Sequence, residues 1–187
     1  MRRTSRLVTM TALVIATATT LAPTALGVSR LDVDVTLPAA FSISGRIMNE
    51  AGVGLAGVLV NASGLAGSHG ATTNGSGAYT VLGLEPGAYQ VRVRPPNTTN
   101  YRYGYYGEGL PNNYAADGAS ATDLTLGPSK TGIDIRLPVG YSIRGKVTNT
   151  AGTGLAEVKL VTFATEASTV VSTDGAGDYV IRGLPPG

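Results

Sequence analysis

Cysteine and tryptophan are absent from these 187 residues, and histidine occurs once. Without Cys there is no disulfide framework and no thiolate metal site. The one His, His69, is the only base a Ser-His-Asp triad could use, and it falls short of the three or four ligands of a usual zinc site. Charged residues are also scarce, at 14%. So few long polar side chains leave little to build exposed helix faces with. The net charge of +2 belongs to the extreme N-terminus. Without Arg2, Arg3 and Arg6, 11 basic residues face 12 acidic ones, a net charge of −1. Nucleic-acid binding needs a basic patch, and none is left.

What is present is Gly (26), Pro (10) and Tyr (9), with much Thr, Ser and Val. That composition belongs to short strands and tight turns. The first residues are different. Arg2, Arg3 and Arg6 precede an apolar, Thr-rich run from Leu7 to Leu21, and Ala25-Leu26-Gly27 has the small residues of a cleavage site. Residues 1–27 read as a secretory signal peptide helix. The run is short for the roughly 20 residues of a membrane span, so no stable span is expected beyond it. Residues 28–40 read as a lead-in strand and linker, with a strand at 31–37.

The chain is organised around a repeat. Thr73 to Gly87 read TNGSGAYTVLGLEPG, and one hundred positions later Thr173 to Gly187 read TDGAGDYVIRGLPPG. Aligned without gaps, 41–87 and 141–187 are identical at 19 of 47 positions. A period of 100 is too long for a solenoid unit and suits a small sandwich domain. The expected domains are 41–138 and a second copy, 141–187, that stops at the equivalent of Gly87. The second copy is expected to expose core-facing residues such as Ile143, Val158 and Tyr179. Asp34-Val-Thr-Leu-Pro38 also matches Asp134-Ile-Arg-Leu-Pro138 at the same offset.

Alternation and punctuation give seven strands in the first copy. They span 41–48, 57–62, 67–73, 78–82, 88–94, 121–126 and 132–137, with a long loop from Pro95 to about Gly118. The predicted core contains Phe41, Ile43, Ile47, Val58, Val60, Tyr79, Tyr89, Leu124, Leu126, Ile133, Ile135 and Leu137. The expectation is an all-β protein, a seven-stranded Greek-key β-sandwich in tandem.

The pattern Gly45…Gly52-x-Gly54-Leu55-x-Gly57-Val58-x-Val60, Thr73-Asn74-x-x-Gly77-x-Tyr79 and Gly83-Leu84-x-Pro86-Gly87-x-Tyr89-x-Val91 resembles carboxypeptidase regulatory-like domains. The resemblance implies a prealbumin-like sandwich grouped with carbohydrate-binding-like folds. It also implies a non-catalytic module of the kind attached to peptidases and amylases or arrayed in surface proteins. The shared residues are glycines, prolines and core tyrosines, which specify shape and not activity. Related collagen-binding B-type adhesin repeats carry a Lys–Asn isopeptide bond. Here Arg46 stands where the second copy has Lys146.

Candidate chemistry is sparse. Glu85, Glu108, Asp117 and Asp123 read as solvated carboxylates and not as a glycosidase pair. The turns Asn74-Gly-Ser-Gly77 and Asp174-Gly-Ala-Gly177 lack the ligand spacing of a calcium loop and read as Asx-type turns. His69 reads as a surface residue. The functional candidates are Tyr101, Tyr103, Tyr105, Tyr106 and Tyr114, since five of nine tyrosines fall within 101–114. Two readings stay open for them, rings packed over an open end of the sandwich or a surface for sugars or a protein.

The expected function is a secreted, non-enzymatic module, an adhesion or spacer repeat with carbohydrate binding, at the cell surface or outside it. The partner would be a polysaccharide or a surface protein, with no metal and no cofactor. The alternative is the N-terminal accessory region of a larger secreted hydrolase such as an amylase or carboxypeptidase. A guanidinium does not act as an isopeptide nucleophile. The expected intact mass of the first domain is therefore its sequence mass, and mass spectrometry showing a loss of about 17 Da, one ammonia, would refute this.

Overall fold

The computed structural model describes residues 39–163 and 168–186. The signal peptide at 1–27 and the strand at 31–37 lie outside the described residues. From Phe41 onward the chain is strands and turns, with one 3-10 turn at Pro111–Asn113. In the first copy the strands are β1 (Phe41–Asn49), β2 (Leu59–Gly64), β3 (Gly67–Thr72), β4 (Ala78–Leu84), β5 (Gly87–Arg94), β6 (Gly104–Tyr106), β7 (Tyr114–Ala115), β8 (Leu124–Leu126) and β9 (Ile135–Leu137). The second copy adds β10 (Tyr141–Lys146), β11 (Lys159–Phe163), β12 (Ser168–Ser172) and β13 (Asp178–Leu184).

Two sheets form the first copy. One runs β4-β1-β9, and the other runs β3-β2-β5-β6-β7, with β8 also on β5. Alternation puts apolar residues between them. Ile43, Ile47 and Val81 face Val60, Ala62, Val91 and Val93, and all are fully buried. Tyr79 and Tyr89 are core residues, as are Val58, Leu124, Leu126, Ile133, Ile135 and Leu137. Phe41 packs at the core's margin because β1 is irregular between Phe41 and Ile43.

The first copy has nine strands where the sequence suggested seven. The additions, β6 and β7, lie inside the expected 95–118 loop. At two or three residues they are too short to carry a period. The strand predicted at 121–126 is shorter, and the one at 132–137 pairs as β9 only from Ile135. Residues 130–134 still run beside β1. Ser44 donates its N–H to the Lys130 carbonyl (2.9 Å), and Ile133 donates to Ser44 (3.0 Å).

That approach is possible only because residue 45 is glycine. A Cβ there would collide with the Ile133 backbone. The buried Tyr79 hydroxyl donates to the Ile133 carbonyl (2.8 Å), and Arg46 N–H donates to Asp134 Oδ1 (2.7 Å). Burial, then the nearby Asp134 charge, pushes the Tyr79 phenol far above its ordinary range. It remains a donor at any physiological pH. The Arg46 side chain is exposed, with its guanidinium on the Ser76 carbonyl.

The second copy repeats the first at an offset of 100 in register as well as in sequence. Ile43 pairs with Val81 and Gly45 with Tyr79; Ile143 pairs with Ile181 and Gly145 with Tyr179. Thr73 Oγ1 donates to the Leu55 carbonyl and accepts from Val58 N–H, and Thr173 does the same with Leu155 and Val158. The layers differ in what covers them. Ile143 is 51% exposed where Ile43 is 0%, and Val158 and Tyr179 are half-buried.

Tyr79→Phe leaves the buried Ile133 carbonyl without its donor. It should cost about 1–3 kcal/mol, read as a lower urea midpoint at an unchanged slope. An unchanged midpoint would mean that this bond does not hold the last strand.

Candidate functional site

β5 alternates sharply. Tyr89, Val91 and Val93 point into the core, and Gln90, Arg92 and Arg94 point out. The register then builds a row across the outer face of the larger sheet. Asn61 of β2 lies opposite Arg92, and Arg92 lies opposite Tyr105 of β6. Ser63 and Gln90 form the next row. Gln90 Nε2 donates to the Gly118 carbonyl (3.3 Å), tying the following loop to this face.

Tyr103 stands at the edge of the row. Its ring meets Tyr105 edge to face, with centroids 5.5 Å apart and planes at 84°. Its hydroxyl donates to the Tyr105 hydroxyl (2.8 Å). Burial, reinforced by that hydrogen bond and opposed by the Arg92 charge, pushes the Tyr103 phenol up to about 12. The pair is thus a preorganised aromatic corner beside a guanidinium, an amide and a hydroxyl. Such a surface offers ring faces for stacking and directional donors and acceptors for polar ligands.

Beside it opens a cleft of 310 Å³, lined by Arg94, Asn97, Thr99, Tyr101, Tyr103 and Arg182 among others. Arg182 reaches across from β13 and donates to Asn100 Oδ1 (3.2 Å). The cleft lies where the two copies join. Gly140 N–H donates to the Asn100 carbonyl (2.6 Å), and Arg102 N–H to the Pro138 carbonyl (3.0 Å).

The five candidate tyrosines therefore separate. Tyr103 and Tyr105 form a half-buried corner at the outer face, and Tyr101 lines the cleft with Tyr103. Tyr114 is a buttress. Its hydroxyl donates to the Tyr103 carbonyl (2.6 Å), its ring lies against Gly104, and the Arg102 guanidinium sits 5.6 Å from the ring centroid. Burial raises its phenol above the ordinary range, and Arg102 partly opposes that. Tyr106 is a core residue, 5% exposed, and leaves the candidate surface. It alternates with Tyr105 in β6, so the strand that shows one ring outward buries the other. Asn61, Gln90, Arg92 and Arg182 were not singled out from sequence. The signal for the β5 pair was the polar register opposite Tyr89 and Val91.

The remaining groups are surface features. His69, Glu85 and Glu108 are exposed. Asp117 accepts from Ser120 N–H, which holds its carboxyl below the usual range. Asn74 Oδ1 accepts from the N–H groups of Ser76 and Ala78, and Asp174 Oδ1 from those of Ala176 and Asp178. These are turn bonds. Among the described residues no His, Cys, Asp and Glu cluster could hold a metal ion, and no helix is long and apolar enough to cross a membrane.

The division of the tyrosines is testable by thermal or urea unfolding. Tyr106→Ala should cost about 3–5 kcal/mol, as for a buried aromatic. Tyr103→Ala should cost about 1–3 kcal/mol, the order of one part-buried hydrogen bond and one edge contact. Equal costs would refute the assignment.

Three solved structures are similar in outline. A streptococcal ancillary pilin aligns at TM-score 0.41 and 15% identity, over 79% of this chain and 51% of that one. The Bacillus anthracis TIE protein aligns at TM-score 0.38 and 15% identity, over 76% and 26%. A DUF3823 family protein from Parabacteroides merdae aligns at TM-score 0.32 and 13% identity, over 78% and 59%. The chain thus spans about half the length of the pilin and a quarter of the TIE protein. Among curated proteins nothing matches it. The model of the carboxypeptidase regulatory-like domain matches residues 42–137, the whole of the two-sheet unit that carries the tyrosine corner. The chain belongs to the carboxypeptidase regulatory-like domain family.

Proposed function

We propose that this chain is a secreted, non-catalytic tandem sandwich of an extracellular or cell-surface protein that binds carbohydrate through its outer sheet face. The fold reading that goes with it is a prealbumin-like Greek-key sandwich in two copies, the second partial, behind a signal peptide at 1–27. The equal registers of the two copies support the repeat. The observation that carries the binding reading is the Asn61–Arg92–Tyr105 row with Tyr103 locked against it. A sugar presents an apolar ring face and a rim of hydroxyls. The tyrosine corner suits the first, and Arg92, Asn61 and Gln90 suit the second. The candidate acids Glu85, Glu108, Asp117 and Asp123 lie in separate turns and loops, and the one His is on an edge strand, which favours binding over catalysis.

The test is a glycan and polysaccharide array probed with the chain from Val28 to Gly187. The Tyr103→Ala/Tyr105→Ala variant, with folding checked by circular dichroism, is probed beside it. Wild-type binding that falls tenfold or more in the variant is expected, equivalent to about 1.4 kcal/mol. No binding by the wild type would overturn the carbohydrate reading and leave a spacer, and equal binding by both would overturn the assignment of the site to this face.

A further inference from the structure

The cleft beside the tyrosine corner is cationic in a chain that is otherwise balanced. Residues 39–187 hold ten basic and ten acidic side chains. The 310 Å³ cleft is lined by Arg94 and Arg182 and by no Asp or Glu. Arg92 stands two positions before Arg94 on the same outward face of β5. Arg102 sits at the Tyr114 ring, behind the corner. Four of the ten basic residues thus gather at one place. Among the described residues neither cleft arginine forms an ion pair; the pair that does form is Lys146 with Asp178.

The second copy supplies one wall of the cleft, with Thr169, Val170, Arg182 and Gly183. Gly183 packs so closely on Tyr101 that a Cβ would collide with the Tyr101 carbonyl. Arg182 is steadied by its hydrogen bond to Asn100. The equivalents of Thr169, Val170 and Arg182 in the first copy are His69, Gly70 and Leu82, and all three are exposed. This end of the repeat is therefore surface in the first copy too, where both sheets are in place. With Leu82 67% exposed, the repeat's own core has no use for an arginine at 182. What Arg182 does face is the cleft and the Tyr101–Tyr103 segment.

Resting on the reading that the outer face binds carbohydrate, we infer that the ligand is an acidic polysaccharide, whose carboxylate or sulfate sits between Arg94 and Arg182 while a sugar ring lies on Tyr103. A guanidinium offers a planar fork of donors that matches either anion. Two guanidiniums that share a cleft repel each other, and an anion between them offsets that repulsion. Tyr103 both forms the corner and lines the cleft, so stacking and charge recognition fall on neighbouring parts of one ligand. Asn97, Thr99 and Thr169 add donors and acceptors for its hydroxyls. Because the arginines come from different copies, the site belongs to the junction and not to a single repeat.

The experiment uses two matched pairs of probes, polygalacturonate with its methyl ester and dextran sulfate with dextran. Each is titrated against the chain from Val28 to Gly187 at low ionic strength, where charge pairs are least screened. At least tenfold tighter binding to the charged member of one pair is expected, and the pair that shows it tells carboxylate from sulfate. Arg94→Gln/Arg182→Gln should abolish the preference. Arg94→Gln alone, at an exposed position, should cut it at least threefold. Arg136→Gln/Arg144→Gln removes two charges from exposed positions elsewhere and should leave it unchanged. Glycan binding on the array with no preference in either pair overturns this inference and leaves the carbohydrate reading standing. No glycan bound at all overturns both. A preference that survives Arg94→Gln/Arg182→Gln, or that falls as far in Arg136→Gln/Arg144→Gln, also overturns the inference, because the anion then sits outside the cleft.

Discussion

The first domain depends on one close approach, the passage of the Ile133 backbone over Gly45. No side chain larger than hydrogen fits beneath it, so the last strand can lie flat on β1 only there. The Tyr79 phenol, on the Ile133 carbonyl, and the Arg46 N–H, on the Asp134 carboxylate, then fix it at two adjacent residues. With 130–137 seated, Ile133, Ile135 and Leu137 close the side of the core that β4 and β1 leave open. The same strand ends at Leu137, and the three residues after it, Pro138 to Gly140, set where the second copy starts. One glycine thus couples core closure to the placement of the next repeat.

The outer face follows from the same packing. A β5 that buries Tyr89, Val91 and Val93 must turn Gln90, Arg92 and Arg94 to solvent. The tyrosine-rich segment is sorted by this rule as soon as β6 pairs with β5, with Tyr106 inward and Tyr105 outward beside Arg92. Gly104 leaves room for the Tyr114 ring, which steadies the backbone at Tyr103. Packing and display are both roles of this segment, carried by different rings. The rigidity of the half-buried Tyr103–Tyr105 corner comes from Tyr114 behind it and from the buried Tyr106.

Much of the sandwich was legible because its long strands alternate cleanly. Val58 and Val60, Tyr79 and Val81, and Ile133, Ile135 and Leu137 show their inward face by spacing alone; Gly77 marks a turn, while Gly83, read from sequence as the start of the next turn, lies inside β4 at the irregularity in its pairing with β1, both with positive φ. The 95–118 segment was not legible. β6 and β7 are held by pairing with β5 and with each other, and three residues carry no periodicity. Tyr106 looked equivalent to Tyr105 because a run of neighbouring tyrosines has no pattern until a partner strand says which side is the core. Arg92 and Asn61 were invisible as a site for a related reason. They are far apart in sequence, and only the β2–β5 register sets them side by side.

By itself the sequence determined the repeat at 100 residues, most of the turn positions, the main core faces and the absence of cysteine beside a single histidine. These rest on local spacing and composition, which a single strand or turn already expresses. The tertiary structure alone decided which tyrosines are core and which stand at the outer face, and which polar residues share that face. Those depend on register between distant segments, and a register is a property of two strands together.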